Sequence, residues 1–347
     1  MSSSSLPPAV IRIRLQSAIW PAALLLLFLV LSAGLRAGEA ARPDDARLRS
    51  AIERGLDYLA KEGDVWMSER DCNACHHMPE LLWSHREAKR RGFAIDQKKF
   101  DEFIAWADER TKNKAGLEVN AFMKLAMPNK PAPEITKLIV GAQQADGSWK
   151  LAGQFASMQR RDAHEATGNS ARLFLLALGT QEADKPATDA ARAKAAALIE
   201  KNDPAKSVET LVFRALYAGR FGEPEEVAAL RAEILKLQHP DGGWAWMIGE
   251  AQSDALATGE VLYLLQRWPD ASCSEAITRA QSWLLSTQRE DGSWAIDTTR
   301  ISKIDRSAPT KSKSLKDATM IYTYWGSGWA TIGLLEGLPI VDSASRP

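Results

Sequence analysis

RAQSWLLSTQREDGSW, residues 279–294, is the stretch whose reading decides the fold. Apolar residues at helical spacing lead into Asp-Gly, a helix-ending turn in which the glycine can take the left-handed conformation. The same ending recurs as QQADGSW (143–149) and QHPDGGW (238–244). Gln143, Gln238 and Gln288 lie 95 and then 50 residues apart, which leaves room for one degenerate repeat in the first gap. A fainter copy without the Gln is RGLDYLAKEGDVW, residues 54–66.

Working outward, apolar residues keep helical spacing from residue 46 onward, with Gly and Pro as punctuation and no sustained strand-like alternation. The chain therefore reads as all-α. The anchors predict six helix pairs: 46–61 with 74–91, 97–110 with 117–127, 134–144 with 164–179, 188–201 with 206–220, 224–238 with 254–267, and 274–288 with 319–337. One α-hairpin cannot bury its apolar face alone, whereas six side by side can close into a ring and remove the ends that an open solenoid must cap. The expectation is a closed α/α toroid over residues 41–340, with a polar, Lys/Ser-rich surface loop at 296–318. In the repeated turn the Gln amide is expected to satisfy backbone groups at the helix end, and the Trp to span the neighbouring hairpin.

The segment 279–294 resembles the QW motif of squalene-hopene and oxidosqualene cyclases, whose toroid is shared with protein prenyltransferase β-subunits. Six α-hairpins also build the (α/α)6 glycosidase barrel, but that fold has no reason to carry the Gln/Trp turn. The resemblance implies a central cavity for an apolar small molecule. It does not carry over the cyclases' reaction, because their Asp-x-Asp-Asp acid motif is missing. Asp44-Asp45 is the only Asp pair and reads as solvated charge. Nor is there a match for the prenyltransferase zinc trio, since Cys273 begins an outer helix.

In that family the second helix of each pair belongs to the inner ring. The inner N-termini, carrying Cys75-His76-His77, His164-Glu165, Asp254 and Tyr324-Trp325, are thus expected at one mouth. Glu165 and Asp254 are the candidate acids of a cyclase-like lyase or isomerase, and His164 is a candidate metal ligand. Each also has a structural reading, as helix start, N-cap or packing residue.

The sharpest chemical signal is CNACH, residues 72–76. In an exported protein this spacing is that of c-type haem attachment, with thioethers from Cys72 and Cys75 and axial ligation by His76. The reading implies a redox or electron-transfer protein with a redox partner. Zinc on Cys72, Cys75 and His76, with His164 as fourth ligand, is an alternative; a disulfide or free thiols are others. His77 is a poor joint ligand with His76, since adjacent helical side chains diverge by about 100°. Met158, Met247 and His164 are candidates for a sixth haem ligand, and a ring able to take a squalene-sized hydrocarbon could take a porphyrin.

Export is itself an expectation. Arg12 and Arg14 precede the apolar run 18–31, and small residues follow, so residues 1–40 read as a signal peptide, with a retained membrane anchor as the alternative. The folded part is then periplasmic or secreted. Lys plus Arg equals Asp plus Glu at 44 each, which provides no net field for nucleic acid. The remaining reading is a non-enzymatic module that binds lipid or zinc.

Overall fold

The computed structural model describes residues 43–69, 77–114, 116–152, 162–200, 204–268, 270–297 and 311–341. All lie in the compact unit Arg42–Pro347. Among them are α1 (Asp45–Glu69), α2 (Met78–Arg90), α3 (Gln97–Lys114), α4 (Leu117–Ala126), α5 (Pro133–Gly141), α6 (Ala163–Leu178), α7 (Lys185–Ile199), α8 (Val208–Phe221), α9 (Pro224–Lys236), α10 (Ala255–Arg267), α11 (Ser274–Thr287) and α12 (Lys311–Glu336). No strand occurs among the described residues, only three isolated bridges.

The six expected pairs are these twelve helices taken two at a time. The even-numbered helices form the inner ring, each packed on the next, and α12 returns to α2. The odd-numbered helices lie outside, and α11 and α12 both reach α1. Burial follows this division. Every residue of α10 from Ala255 to Leu265 is buried, whereas outer α9 buries only Val227 and Ile234. A helix enclosed by neighbours is apolar around most of its circumference, and an outer one needs a single stripe.

Local sequence sets the starts. Prolines stand in the first turn of α2, α5, α7 and α9, where a missing N–H costs nothing. Asp162, Ser207 and Asp254 cap α6, α8 and α10 by accepting hydrogen bonds from backbone N–H groups. Asp44 does the same for α1, accepting from the Ala46 N–H at 3.1 Å, so the Asp pair read as solvated charge also starts a helix.

The three repeated turns share one geometry. Gln143 Nε2 donates to the carbonyls of Gly147 and Ala191, Gln238 Nε2 to those of Gly242 and Ala276, and Gln288 Nε2 to those of Gly292 and Ala51. The first partner is in the Gln's own turn and the second is on the next outer helix. Trp149, Trp244 and Trp294 donate back to Ile139, Ile234 and Leu284 of their own outer helices, each at 2.8 Å. The amide satisfies backbone carbonyls as expected and also ties neighbouring hairpins, while the indole donates within its own hairpin and the Trp294 ring lies against Gly55 of α1 in the next. A planar amide with two N–H groups can serve two carbonyls, while an indole has one donor.

Glycine is required in these turns on two counts. Gly292 has φ of 86°, and a Cβ there would lie 2.1 Å from the Arg54 carbonyl oxygen. The backbone approaches the next helix too closely for a side chain.

Two boundaries differ from expectation. Helix α1 runs to Glu69, and α12 begins at Lys311, inside the stretch read as the 296–318 loop. Polarity suggested a loop, but no Gly or Pro interrupts residues 311–325, so nothing stops the helix extending outward. The overhang can be measured against α10. Trp244 N–H donates to Thr258 Oγ1, the fourth residue of α10, and Trp294 N–H donates to Ser327 Oγ in the equivalent place. Helix α12 thus begins about 20 Å before the inner ring does, at 1.5 Å per residue. Tyr324 and Trp325 lie mid-helix, level with the first turn of α10.

Candidate functional site: the central cavity and its N-terminal rim

The inner helices start together, and the first turns of five carry a buried acid: Glu80, Glu118, Glu165, Glu209 and Asp254 at the cap. Glu165 Oε1 accepts from the backbone N–H of Lys206 at 2.6 Å and of Ser207 at 3.3 Å, and Oε2 accepts from Ser207 Oγ. It clamps the loop before α8, where the repeated turn is lacking. Asp254 caps α10 through Ala257 N–H at 2.8 Å, and its other oxygen accepts from Trp246 N–H at 2.7 Å. Both candidate acids hold backbone in place. His164 is exposed, at the start of α6 beside its cap Asp162.

Glu80 was not singled out from the sequence. It lies in the first turn of α2, wholly buried against Gly328, and burial pushes its carboxyl up to about 8. Burial thereby favours its protonated form. The signal that could have found it is its register, since Glu80, Trp83 and Glu87 fall on one face of α2, the face that looks into the ring.

Cys72, Cys75 and His76 lie outside the described residues, as does Met158. Their neighbours are described. His77 is buried, with its ring stacked on Trp66 at 4.1 Å and tilted against Tyr324 at 3.9 Å. Tyr324 Oη in turn donates to the Leu59 carbonyl at 3.0 Å. The end of α1, the start of α2 and the middle of α12 are thereby pinned together immediately beside the CNACH string. Met78 is buried in the core, and Met247 packs on it from the loop between α9 and α10. Among the described residues no three His, Cys, Asp or Glu side chains gather as a metal set. Cys273 is buried and free at the cap of α11.

One cavity, of about 310 Å³, is lined by all six inner helices. Trp83, Tyr263 and Trp329 form an aromatic trio in its wall, with ring centroids 5.6 to 5.9 Å apart. Phe122, Leu176, Val212 and Leu216 add apolar wall. Near the C-terminal ends of the helices the lining turns charged, with Arg86, Arg90, Arg220 and Arg267 against Glu87 and Glu336, while Glu260 lies deeper, one turn before Tyr263 in α10. Burial raises the Glu87 carboxyl, but Arg86, Arg91 and Arg90 more than offset it and hold it below the ordinary range. The space is on the order of ten water-sized groups. A porphyrin or a squalene-sized hydrocarbon is larger than this space.

Comparison with known proteins now has a geometry to meet. Residues 227–308 match the family model of the squalene-hopene cyclase N-terminal domain, a stretch that includes most of α9, all of α10 and α11 and two of the repeated turns. A type II terpene cyclase from Scytonema, solved with geranylgeranyl dihydroxybenzoate as substrate, is 12% identical, with a TM-score of 0.52 over 85% of this chain and 99% of that one. The fold is an α/α toroid. A protein described as a possible member of the GH105 family from Salmonella enterica serovar Paratyphi A is also 12% identical, with a TM-score of 0.54 over 87% of this chain and 98% of that one. A polysaccharide lyase gives 0.52 at 12% identity, over 83% and 97%. No curated protein matches the chain in sequence. Backbone shape alone thus places the toroid near both cyclases and carbohydrate-active barrels. The Gln and Trp turns, and the family match that includes two of them, point to the cyclase side.

Proposed function

We propose that this chain is an exported redox protein in which a squalene-cyclase-like toroid carries covalent haem c at Cys72, Cys75 and His76 and binds a small ligand in its central cavity. The observation that carries the reading is the anchoring of His77 between Trp66 and Tyr324, which fixes the residue next to the motif on the N-terminal rim of the ring. The flanking residues suit the group. Trp66, His77 and Met78 are all buried, an apolar setting of the kind that tunes haem potential. A bound haem would supply one-electron chemistry. The chain's own part would be to hold His77, the residue that follows the motif, between Trp66 and Tyr324. Export follows the Arg12, Arg14 and 18–31 pattern and supplies the compartment in which haem attachment occurs. The partners in this reading are a redox protein and the cavity's ligand. Protein purified from the periplasm of a host with haem-maturation machinery should show a Soret band that shifts reversibly on reduction. A colourless protein would remove the haem reading.

A second reading is favoured by Glu80, a carboxylic acid biased by burial towards its protonated form, one helical turn from the cavity-lining Trp83. Such an acid suits proton-initiated lyase or isomerase chemistry in place of the missing Asp-x-Asp-Asp motif. Turnover of an isoprenoid by the wild type and not by Glu80→Gln would establish it, and unaltered substrate with both would dismiss it.

A further inference from the structure

We infer that the central cavity takes a single-chain amphiphile with an anionic head, the head held at the mouth by Arg220 and Arg267 and the chain lying within the ring. This rests on the part of the proposed function that makes the cavity a ligand site, and is independent of the haem.

The charges at the mouth are unevenly matched. Glu87 accepts from Arg86, from Arg90 at 3.0 Å and from Arg91, and Glu336 accepts from Arg91 at 2.8 Å and Arg267 at 3.3 Å. Both carboxylates are shared among several guanidinium groups. Arg220 meets no carboxylate among the described residues; its Nε and Nη2 donate to the Gly179 carbonyl at 3.1 and 2.6 Å. Five arginines, Arg86, Arg90, Arg91, Arg220 and Arg267, thus stand against three carboxylates, Glu87, Glu336 and the deeper Glu260, and those at the rim reach solvent, with Arg90 and Arg267 about half exposed. Arginines in last turns also offset helix dipoles. That effect would not require them to converge on one opening, yet Arg90, Arg220 and Arg267 come from three different helices and line the same cavity.

Behind this rim the lining is apolar and aromatic except for the buried Glu260, with no described cation deeper than Arg86. A ligand that fits must change character along its length, from anion at the mouth to hydrocarbon inside. Guanidinium groups bind carboxylate and phosphate in the same planar, two-pronged manner, so the shared chemistry is an oxyanion head. A volume of 310 Å³ sets the chain at roughly ten carbons, since a methylene is about water-sized.

Binding of decanoate, decyl phosphate and decanol to the full chain, followed by titration calorimetry, tests this. Decanoate or decyl phosphate should bind at least about tenfold more tightly than decanol, and added salt should erode that preference. The relative affinities of the two anions separate a carboxylate from a phosphate head. The surface double variant Arg220→Gln/Arg267→Gln should lose the preference while still binding decanol. Equal binding of decanol and the anions by the wild type, or an undiminished preference in the double variant, would overturn the inference while leaving the cavity a ligand site. If none of the three binds, or if Leu216→Trp, which fills the cavity, leaves binding unchanged, the cavity reading itself fails.

Discussion

Gln288 Nε2 donates to the Ala51 carbonyl at 2.9 Å, a hydrogen bond across 237 residues that joins the last hairpin to the first. Its Oε1 accepts from Arg54 Nη2 at 2.5 Å, so the amide is engaged on both sides of the seam. Gln238 makes the same bonds inside the ring, to Gly242 and Ala276. Gln288→Ala and Gln238→Ala should each cost about 2 kcal/mol, because each leaves two carbonyls without a donor. Urea unfolding of the two variants checks this. A neutral Gln288→Ala beside a damaging Gln238→Ala would mean an open ring.

Glycine substitutions separate strain from collision. Gly249 and Gly292 both have positive φ, at 91° and 86°, but only Gly292 faces a backbone carbonyl, that of Arg54. Gly249→Ala should cost about 1 kcal/mol for the left-handed conformation alone. Gly292→Ala should cost about 3 kcal/mol or more, since the seam itself must move. Thermal melts of both variants measure the difference.

Two buried titratable groups give stability opposite dependences on pH. The Glu80 carboxyl is raised from 4.5 to about 8 by burial, so the unfolded chain releases this proton first and stability falls as pH rises between those values. His85 is lowered from 6.5 to about 4, again by burial, so its contribution is lost as pH falls through that window. Glu80→Gln should therefore raise the melting temperature at pH 8 and leave it nearly unchanged at pH 4. An equal gain at both would show that Glu80 is ionised in the folded protein.

Asp254 should behave as a structural residue. Asp254→Ala removes the cap of α10 and the acceptor for Trp246 N–H, at a cost of about 2 to 3 kcal/mol. If the melt is unchanged while a ligand-dependent activity disappears, the residue is chemical rather than structural.

Much of this architecture was legible because the repeated turn is a local code with a long-range consequence. Gln, Gly and Trp are each forced by contacts that recur identically at 143, 238 and 288, so a seven-residue pattern announced the hairpins and their number. What escaped is what arises only when hairpins assemble. Glu80 reads as an ordinary first-turn acid until α12 covers it, and Arg220 and Arg267 read as ordinary last-turn arginines until the ring brings them to one mouth. The extension of α12 into the expected polar loop was missed for a different reason. Polarity marks a surface, and an overhanging helix is also a surface.

The central claim is covalent haem at Cys72 and Cys75. Intact mass of the mature exported protein, recorded for the wild type and for Cys72→Ala/Cys75→Ala after co-expression with the maturation machinery, addresses it most directly. An increment of one haem and a Soret band are expected in the wild type, with both absent from the double variant. A wild-type mass equal to that of the bare mature chain would contradict it.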